Sequence, residues 1–356
     1  MQGAQLTVSL NNWLDLPSWS YQEWLDVHKQ RLKGSSAPCK LAHNDVYSEG
    51  QLYDRASTSH VAEYYESYVT KMGMEKNFDS NVKVTSVRRA ENDGAGANLW
   101  EVCCERNTRG RLFGSRRRPF RVYAENVVLA SGLSKPKKLG VEGENLPFVH
   151  HHLRKVVEYG KRAQGITLDP VVIVGDGLSA ADAVLELYSL EIPVIHILRH
   201  NLNDEELILN KLPTQVYRDY AKVKDMMVKP VYDSEGRCLY QAYPKCQLLS
   251  IYKNKECKIK MADGKCQTQR VAAVFVLIGA KPDLSFLKDV PALGIDPTAE
   301  LDCRHNPVDI DPFTYECRRV KNVFAMGPLV GDNFVRFGIG GALGIASHLQ
   351  KTCNKR

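Results

Sequence analysis

Residues Val171 to Ala183 read VVIVGDGLSAADA, and this stretch decides the fold class. A β-branched apolar run breaks at Gly175, passes Gly177 and enters an alanine-rich segment, the order strand, glycine turn, helix. Gly175 permits a tight turn, Gly177 lets backbone approach a phosphate, and Ala180 fills the third small position, where helix packs closely on strand. Ser179 stands at the helix start, with no G-x-S-x-G or Ser-His-Asp order around it, and reads as a helix-start or phosphate contact rather than a nucleophile. The helix N-terminus adds N–H groups and positive dipole. Together these features predict a dinucleotide site.

The residues beyond the helix specify the nucleotide further. A second buried run, Ile192 to Leu198, ends in Arg199-His200 where a site for NAD would place an acid that accepts from the ribose 2′-hydroxyl. A guanidinium fork suits a 2′-phosphate instead. One hydrogen bond to a charged group is worth about 1.5–3 kcal/mol, roughly a ten- to hundredfold preference. The expected cofactor is NADPH. Arg199 also has a plain reading as a solvated surface arginine.

Composition sets the outer bounds. The chain has 356 residues, 44% of them hydrophobic and 25% charged, which excludes disordered and fibrous classes and allows two domains. Apolar runs such as Val271 to Ala280 fall short of the roughly 20 residues that span a bilayer. The opening residues carry no basic region followed by an apolar core, so an intracellular, cytoplasmic site is expected. The ten cysteines are scattered, none in a C-x-x-C pair, and read as free thiols. Disulfide reduction through a C-x-x-C pair beside a flavin is therefore excluded for this chain; Cys103 and Cys104 are adjacent, which does not favour a bridge between them.

The net charge of +7 is modest, and its main cluster, Arg116 to Arg118, reads as a solvated hairpin or loop without interleaved aromatics. No nucleic-acid partner is expected. His150 to His152 are adjacent and lack carboxylates at helical spacing, so packing is favoured over metal binding; His28, His43 and His305 stand alone. No metal site is expected.

Outward from the glycine motif, Ser59 to Met74 has helical spacing. Residues 82–87, 99–104 and 120–123 alternate as short strands of an antiparallel unit. Three further apolar strands end in small residues and glycine: ENVVLASG (Glu125 to Gly132), AVFVLIGAKPD (Ala273 to Asp283) and NVFAMG (Asn322 to Gly327). Helical material is expected at 203–212 and 215–227, and strands at 238–261. Several glycine-ended strands suit a doubly wound α/β sheet whose ligands lie beyond the carboxyl ends of its strands, and imply more than one nucleotide site. The economical architecture is a discontinuous domain, residues 1–165 and 286–356, with a Rossmann-like insert at 166–285.

These segments, with NVFAMGPLVGDNFVRFGIGGALGIASHL, resemble the flavin-dependent monooxygenases. More closely, with SWSYQEWL, HVAEYYESYV, ENLPFVHHHL, IPVIHILRH and NPVDIDPFTYEC, the chain is similar to the oxidative stress-induced growth inhibitor family over nearly its whole length. The resemblance implies a two-dinucleotide-binding flavoprotein fold, with FAD and NADPH as cofactors. It further implies transfer of one oxygen atom to an unknown small-molecule or protein substrate, and a role in restraint of growth, differentiation, cell death and cytokinesis. Protein partners in growth control, and a place at the midbody, are implied by the same likeness.

By that resemblance NADPH docks at Gly175, Gly177, Ser179, Ala180, Arg199 and His200. Gly327, Asp332 and Asn333 belong to the flavin side, where Asp332 accepts from a ribityl hydroxyl or serves only as a turn residue or helix cap; Gly132 and Gly279, which close the two crossing strands, are further cofactor-binding candidates. In the wider flavoprotein pattern an acid follows the final glycine directly, whereas here Pro328 follows Gly327. No residue is assigned a catalytic role. The family opens with its own G-x-G-x-x-G strand, whereas QGAQLTVSLNNWLDLP here matches a place well inside that domain, so the expected FAD domain is N-terminally truncated. Two readings stay open: an NADPH- and FAD-dependent monooxygenase, and a non-catalytic nucleotide-binding regulatory protein, or truncated product, that no longer binds FAD.

Overall fold

The computed structural model describes residues 6–33, 55–90, 99–109, 115–163 and 169–354. His43 and residues 1–5 lie outside them. The chain divides into two compact units, one of residues 136–280 and one assembled from the segments on either side.

In the first unit the glycine motif forms the strand Val171–Val174 and the helix Leu178–Ser189. The strand is buried at every position, because it lies between two parallel neighbours. Val194–Ile197 pairs on one side, with Val194 opposite Val171, and Ala273–Val276 on the other, with Ala273 opposite Val171. Cys238–Tyr243 extends the sheet parallel to Val194–Ile197, and Val149–His150 extends it parallel to Ala273–Val276. Val231–Tyr232 closes one edge antiparallel. The chain leaves Val171–Val174 toward one side and returns on the other, so the ends of Val171–Val174 and Ala273–Val276 form a topological switch point. A separate antiparallel sheet, Gln247–Ile251, Glu256–Lys260 and Cys266–Arg270, packs its buried Leu248, Cys257 and Ile259 with Val172, Val274 and Val276.

The division falls at Pro136 and Ala280 rather than at the expected 166 and 285. Val149–His150 is a strand of the insert's own sheet, and the helix Leu153–Ala163 packs on Leu178–Ser189, where Gly160 lets Leu190 approach. At the crossings, Lys135–Pro136 pairs with Ala280–Lys281.

Residues 203–212 form no α-helix, only a 3-10 turn at Ile208–Asn210. Asn201 and Asp204 side chains accept from the backbone N–H groups of Leu202 (3.0 Å) and Glu206 (2.9 Å), which competes with helical bonding. The next helix is Arg218–Val228.

The second unit carries the antiparallel strands Val82–Arg89, Trp100–Arg109 and Ser115–Ala124. Arg116, Arg117 and Arg118 lie within the last strand, opposite Thr108, Asn107 and Arg106, which is the hairpin alternative of the expected hairpin or loop. Pro119 is tolerated because that strand is at the sheet edge. Buried Glu101 is compensated by Arg88, whose Nη2 lies 2.9 Å from Oε1, and by the Tyr123 hydroxyl. Val127–Leu129 pairs in parallel with Val323–Ala325. The helices Tyr21–Lys33 and Thr58–Lys71 meet through Trp24, Tyr21 and Tyr64, and Val335–Cys353 forms the last helix. Among the described residues, no helix is long and apolar enough to cross a membrane.

Candidate functional site

Gly175 ends the central strand with its N–H donating to the Ile197 carbonyl at 3.1 Å. Its φ of +142° lies where side chains are disfavoured, and a Cβ there would stand 2.4 Å from the Leu277 carbonyl oxygen. Glycine is therefore demanded by the neighbouring strand as well as by the turn. That Cβ would also lie 3.5 Å from the Cβ of Ala180, which is fully buried, so the third small position does admit the helix.

Gly177 differs in kind. Its backbone is extended (φ −94°, ψ 177°), it is the N-cap of Leu178–Ser189 without a side-chain cap bond, and a Cβ there would meet nothing within 4 Å. The empty space beside an uncapped helix start is a cradle that a Cβ would narrow, and it fits an anionic pyrophosphate. Ser179 is exposed on the first turn.

Arg199 and His200 are brought to this turn from the end of Val194–Ile197. The Arg199 side chain is 77% exposed, with Nε 4.0 Å from Asp176 Oδ2. His200 Nδ1 is hydrogen-bonded to that same carboxylate oxygen. Asp176, the residue between the two glycines, thus joins both candidate phosphate ligands. Sequence reading missed it; the one available signal was its place inside the turn.

A second missed residue lies beneath. His196 is 1% exposed in the buried strand Val194–Ile197. Its Nε2 stands 2.7 Å from the Gly175 carbonyl and its Nδ1 3.0 Å from the Tyr240 hydroxyl. A carbonyl only accepts, so Nε2 carries the proton and Nδ1 accepts from Tyr240. Burial pushes the imidazole pKa down to about 4, although the Gly175 carbonyl and Asp176 oppose the shift. The ring is neutral and tied to the glycine turn.

Four other described histidines have structural partners. His151 Nε2 lies 3.0 Å from Glu144 Oε1, and His150 packs on Phe275 at 5.2 Å between ring centroids. His28 stacks on Trp24, and His305 bonds to Asp302. Among the described residues no group of three or more His, Cys, Asp or Glu side chains could hold a metal ion. The nine described cysteines are free thiols.

On the expected flavin side, the parallel strands Val127–Leu129 and Val323–Ala325 bring their ends together, and Met326 N–H donates to the Leu129 carbonyl at 3.1 Å. Gly132 and Gly327 follow these ends with φ of +62° and +65°, each with open space where a Cβ would project. Asp332 N–H donates to the Gly327 carbonyl at 3.2 Å, and Asp332 Oδ2 accepts from the Tyr315 hydroxyl at 3.3 Å. Burial, with that carboxylate adding to it, raises the Tyr315 pKa. Asn333 closes a local turn onto the Gly331 carbonyl. Neither Asp332 nor Asn333 caps the last helix, whose N-cap is Phe334 without a side-chain bond. Gly279 (φ +93°) lies in the other unit, at the crossing, and its carbonyl accepts from Lys137 N–H at 2.9 Å.

Residues 117–308 match the family model described as pyridine nucleotide-disulphide oxidoreductase. Human oxidative stress-induced growth inhibitor 2 is 36% identical, over 100% of this chain and 71% of its own length. Human oxidative stress-induced growth inhibitor 1 is 37% identical, over 98% and 70%. Among solved structures, the bacillithiol disulfide reductase of Staphylococcus aureus superposes with a TM-score of 0.65 at 17% identity, over 98% of this chain and 85% of that one. The thioredoxin reductase of T. acidophilum gives 0.55 at 18% identity, over 83% and 82%. These likenesses establish the Rossmann-type, two-unit reductase fold that frames the glycine turn. By sequence, the chain belongs to the oxidative stress-induced growth inhibitor family, within the pyridine nucleotide-disulphide oxidoreductase-type proteins.

Proposed function

We propose that this protein is an NADPH- and FAD-dependent oxidoreductase of the monooxygenase type, acting in the cytoplasm in growth control under oxidative stress. The observation that carries the reading is the open cradle at Gly177, beside an uncapped helix start and flanked by Arg199 and His200. The backbone N–H groups of that helix start would hold the pyrophosphate, and Ser179 would add its hydroxyl. Arg199 and His200 would take the 2′-phosphate through charge-assisted hydrogen bonds. Ala180 keeps the helix close to the strand, and His196 holds the turn from below.

For the flavin, the fitting features are the open positions at Gly132 and Gly327 and the uncapped helix behind Asp332 and Asn333. Asp332 has one oxygen engaged by Tyr315, which would orient the carboxylate toward a ribityl hydroxyl. When bound, the two cofactors supply hydride transfer and oxygen activation; the chain's part is to position them and exclude water. The absence of a C-x-x-C pair favours this over disulfide reduction through such a pair. Inhibitor-like action in differentiation, cell death or cytokinesis, including at the midbody, would follow from partners recognised by the same scaffold.

One observation favours a non-catalytic, nucleotide-binding regulatory role. Among the described residues, the second unit has no α-helix that starts directly behind a parallel strand as Leu178–Ser189 does behind Val171–Val174; only the short 3-10 helix Gly327–Val330 follows Val323–Ala325, and the α-helix waits until Val335. Visible absorbance after addition of FAD, with NADPH-driven oxygen uptake, separates the readings. A colourless protein with no uptake would sink the enzyme reading. For the nicotinamide site, Arg199→Glu should weaken NADPH by roughly ten- to hundredfold while changing NADH little. Equal losses would remove Arg199 from the 2′-phosphate.

A further inference from the structure

Asp176 holds an unusual place for a carboxylate. It stands between the two glycines of the phosphate turn, directly before an uncapped helix, and is the anion that both candidate phosphate ligands already face. His200 Nδ1 bonds to its Oδ2, and Arg199 Nε lies 4.0 Å from the same oxygen. The carboxylate is only 23% exposed and His200 18%, whereas Arg199 is free to swing, at 77%. A 2′-phosphate arriving at Arg199 and His200 would therefore meet donors that already face a carboxylate, and would bring about two negative charges close to a third. The ribose 2′-hydroxyl of NADH carries no charge and meets no such opposition.

We propose that Asp176 is a specificity-determining residue, a built-in carboxylate that competes with the cofactor's 2′-phosphate for Arg199 and His200 and so holds down the preference for NADPH over NADH. The inference rests on the nicotinamide reading given above. Occupation of the site by NADPH would move Arg199, and with it His200, from Asp176 to the phosphate, leaving Asp176 to accept from backbone or solvent. Asp176 acts on affinity and selectivity, not on any reacting atom.

The test is the titration of the full chain with NADPH and, separately, NADH at fixed low ionic strength, for the wild type, Asp176→Asn and Asp176→Ser. Asparagine keeps the size and a hydrogen-bonding oxygen for His200 but removes the charge, and serine removes the charge and shortens the side chain so that its hydroxyl no longer reaches His200. Both variants should bind NADPH about tenfold more tightly with NADH changed less than about threefold, and the gain should fall away in an Arg199→Gln background. A merely structural Asp176–His200 pair would instead lower the melting temperature and leave the NADPH:NADH ratio where it was; that result overturns the proposal. A wild type that binds neither nucleotide overturns the nicotinamide reading and this inference together, whereas binding of both with an unmoved ratio overturns the inference alone.

Discussion

His196 makes a measurable prediction about stability. The ring is buried and neutral, with its pKa pushed from the ordinary 6.5 to about 4, so the unfolded chain takes up a proton through a pH range in which the native state does not. A base whose folded pKa is depressed adds no penalty above 6.5 and destabilises progressively as pH falls below that value. Between pH 7.5 and pH 5.0 the protonation imbalance costs about 2 kcal/mol. His196→Gln removes the titration while keeping a donor for the Gly175 carbonyl, and leaves the Tyr240 hydroxyl without its acceptor.

The variant should therefore be less stable than the wild type by roughly 1–3 kcal/mol at pH 7.5, the cost of an unsatisfied buried group. The two should converge by about 2 kcal/mol at pH 5.0. Urea unfolding of both proteins at pH 7.5, 6.5, 5.5 and 5.0 measures this directly. His150, whose pKa burial also lowers, contributes equally to both curves and cancels in their difference. Stability curves that run parallel across this range would refute the neutral, doubly bonded imidazole.

The two glycines should separate folding from binding. Gly175→Ala puts a Cβ 2.4 Å from the Leu277 carbonyl at φ +142° and should destabilise by several kcal/mol in thermal unfolding, whereas Gly177→Ala meets nothing within 4 Å and should melt within a few degrees of the wild type while losing NADPH affinity in titration. Glu144 is 3% exposed and accepts from Leu139 N–H and Gly140 N–H, both at 2.8 Å, and from His151. Burial alone would raise its pKa, but these bonds outweigh it and hold the carboxyl below the usual range. Glu144→Ala should cost about 2–4 kcal/mol at pH 7 and show a smaller loss of stability than the wild type on acidification below about pH 4.5, read by denaturant titration.

The parts legible in the sequence are those made by consecutive residues. Strand, turn and helix from Val171 onward follow from β-branching, two glycines and a run of alanines. Asp176 and His196 were harder, because their partners come from other strands: His200 and Arg199 reach Asp176 only once Val194–Ile197 lies in register beside Val171–Val174. The available hint for His196 was a polar residue inside an otherwise apolar strand, which a buried position obliges to find two partners. The boundary at Pro136 escaped because Val149–His150 is too short to show a period. For Arg116 to Arg118 the sequence leaves hairpin and loop open, because charge and a proline suit either, and only the ten-residue strand upstream that pairs with them decides for the hairpin.

The paired crossings at Lys135–Pro136 and Ala280–Lys281 have a consequence for biosynthesis. Both ends of the 136–280 unit come together, with Lys137 N–H bonded to the Gly279 carbonyl, so this unit holds all its own strands as soon as Ala280 has emerged from the ribosome. Its host cannot finish then, because Val127–Leu129 must wait nearly two hundred residues for Val323–Ala325. Translation thus imposes an order in which the glycine turn matures first, while the earlier segment stands open to chaperones.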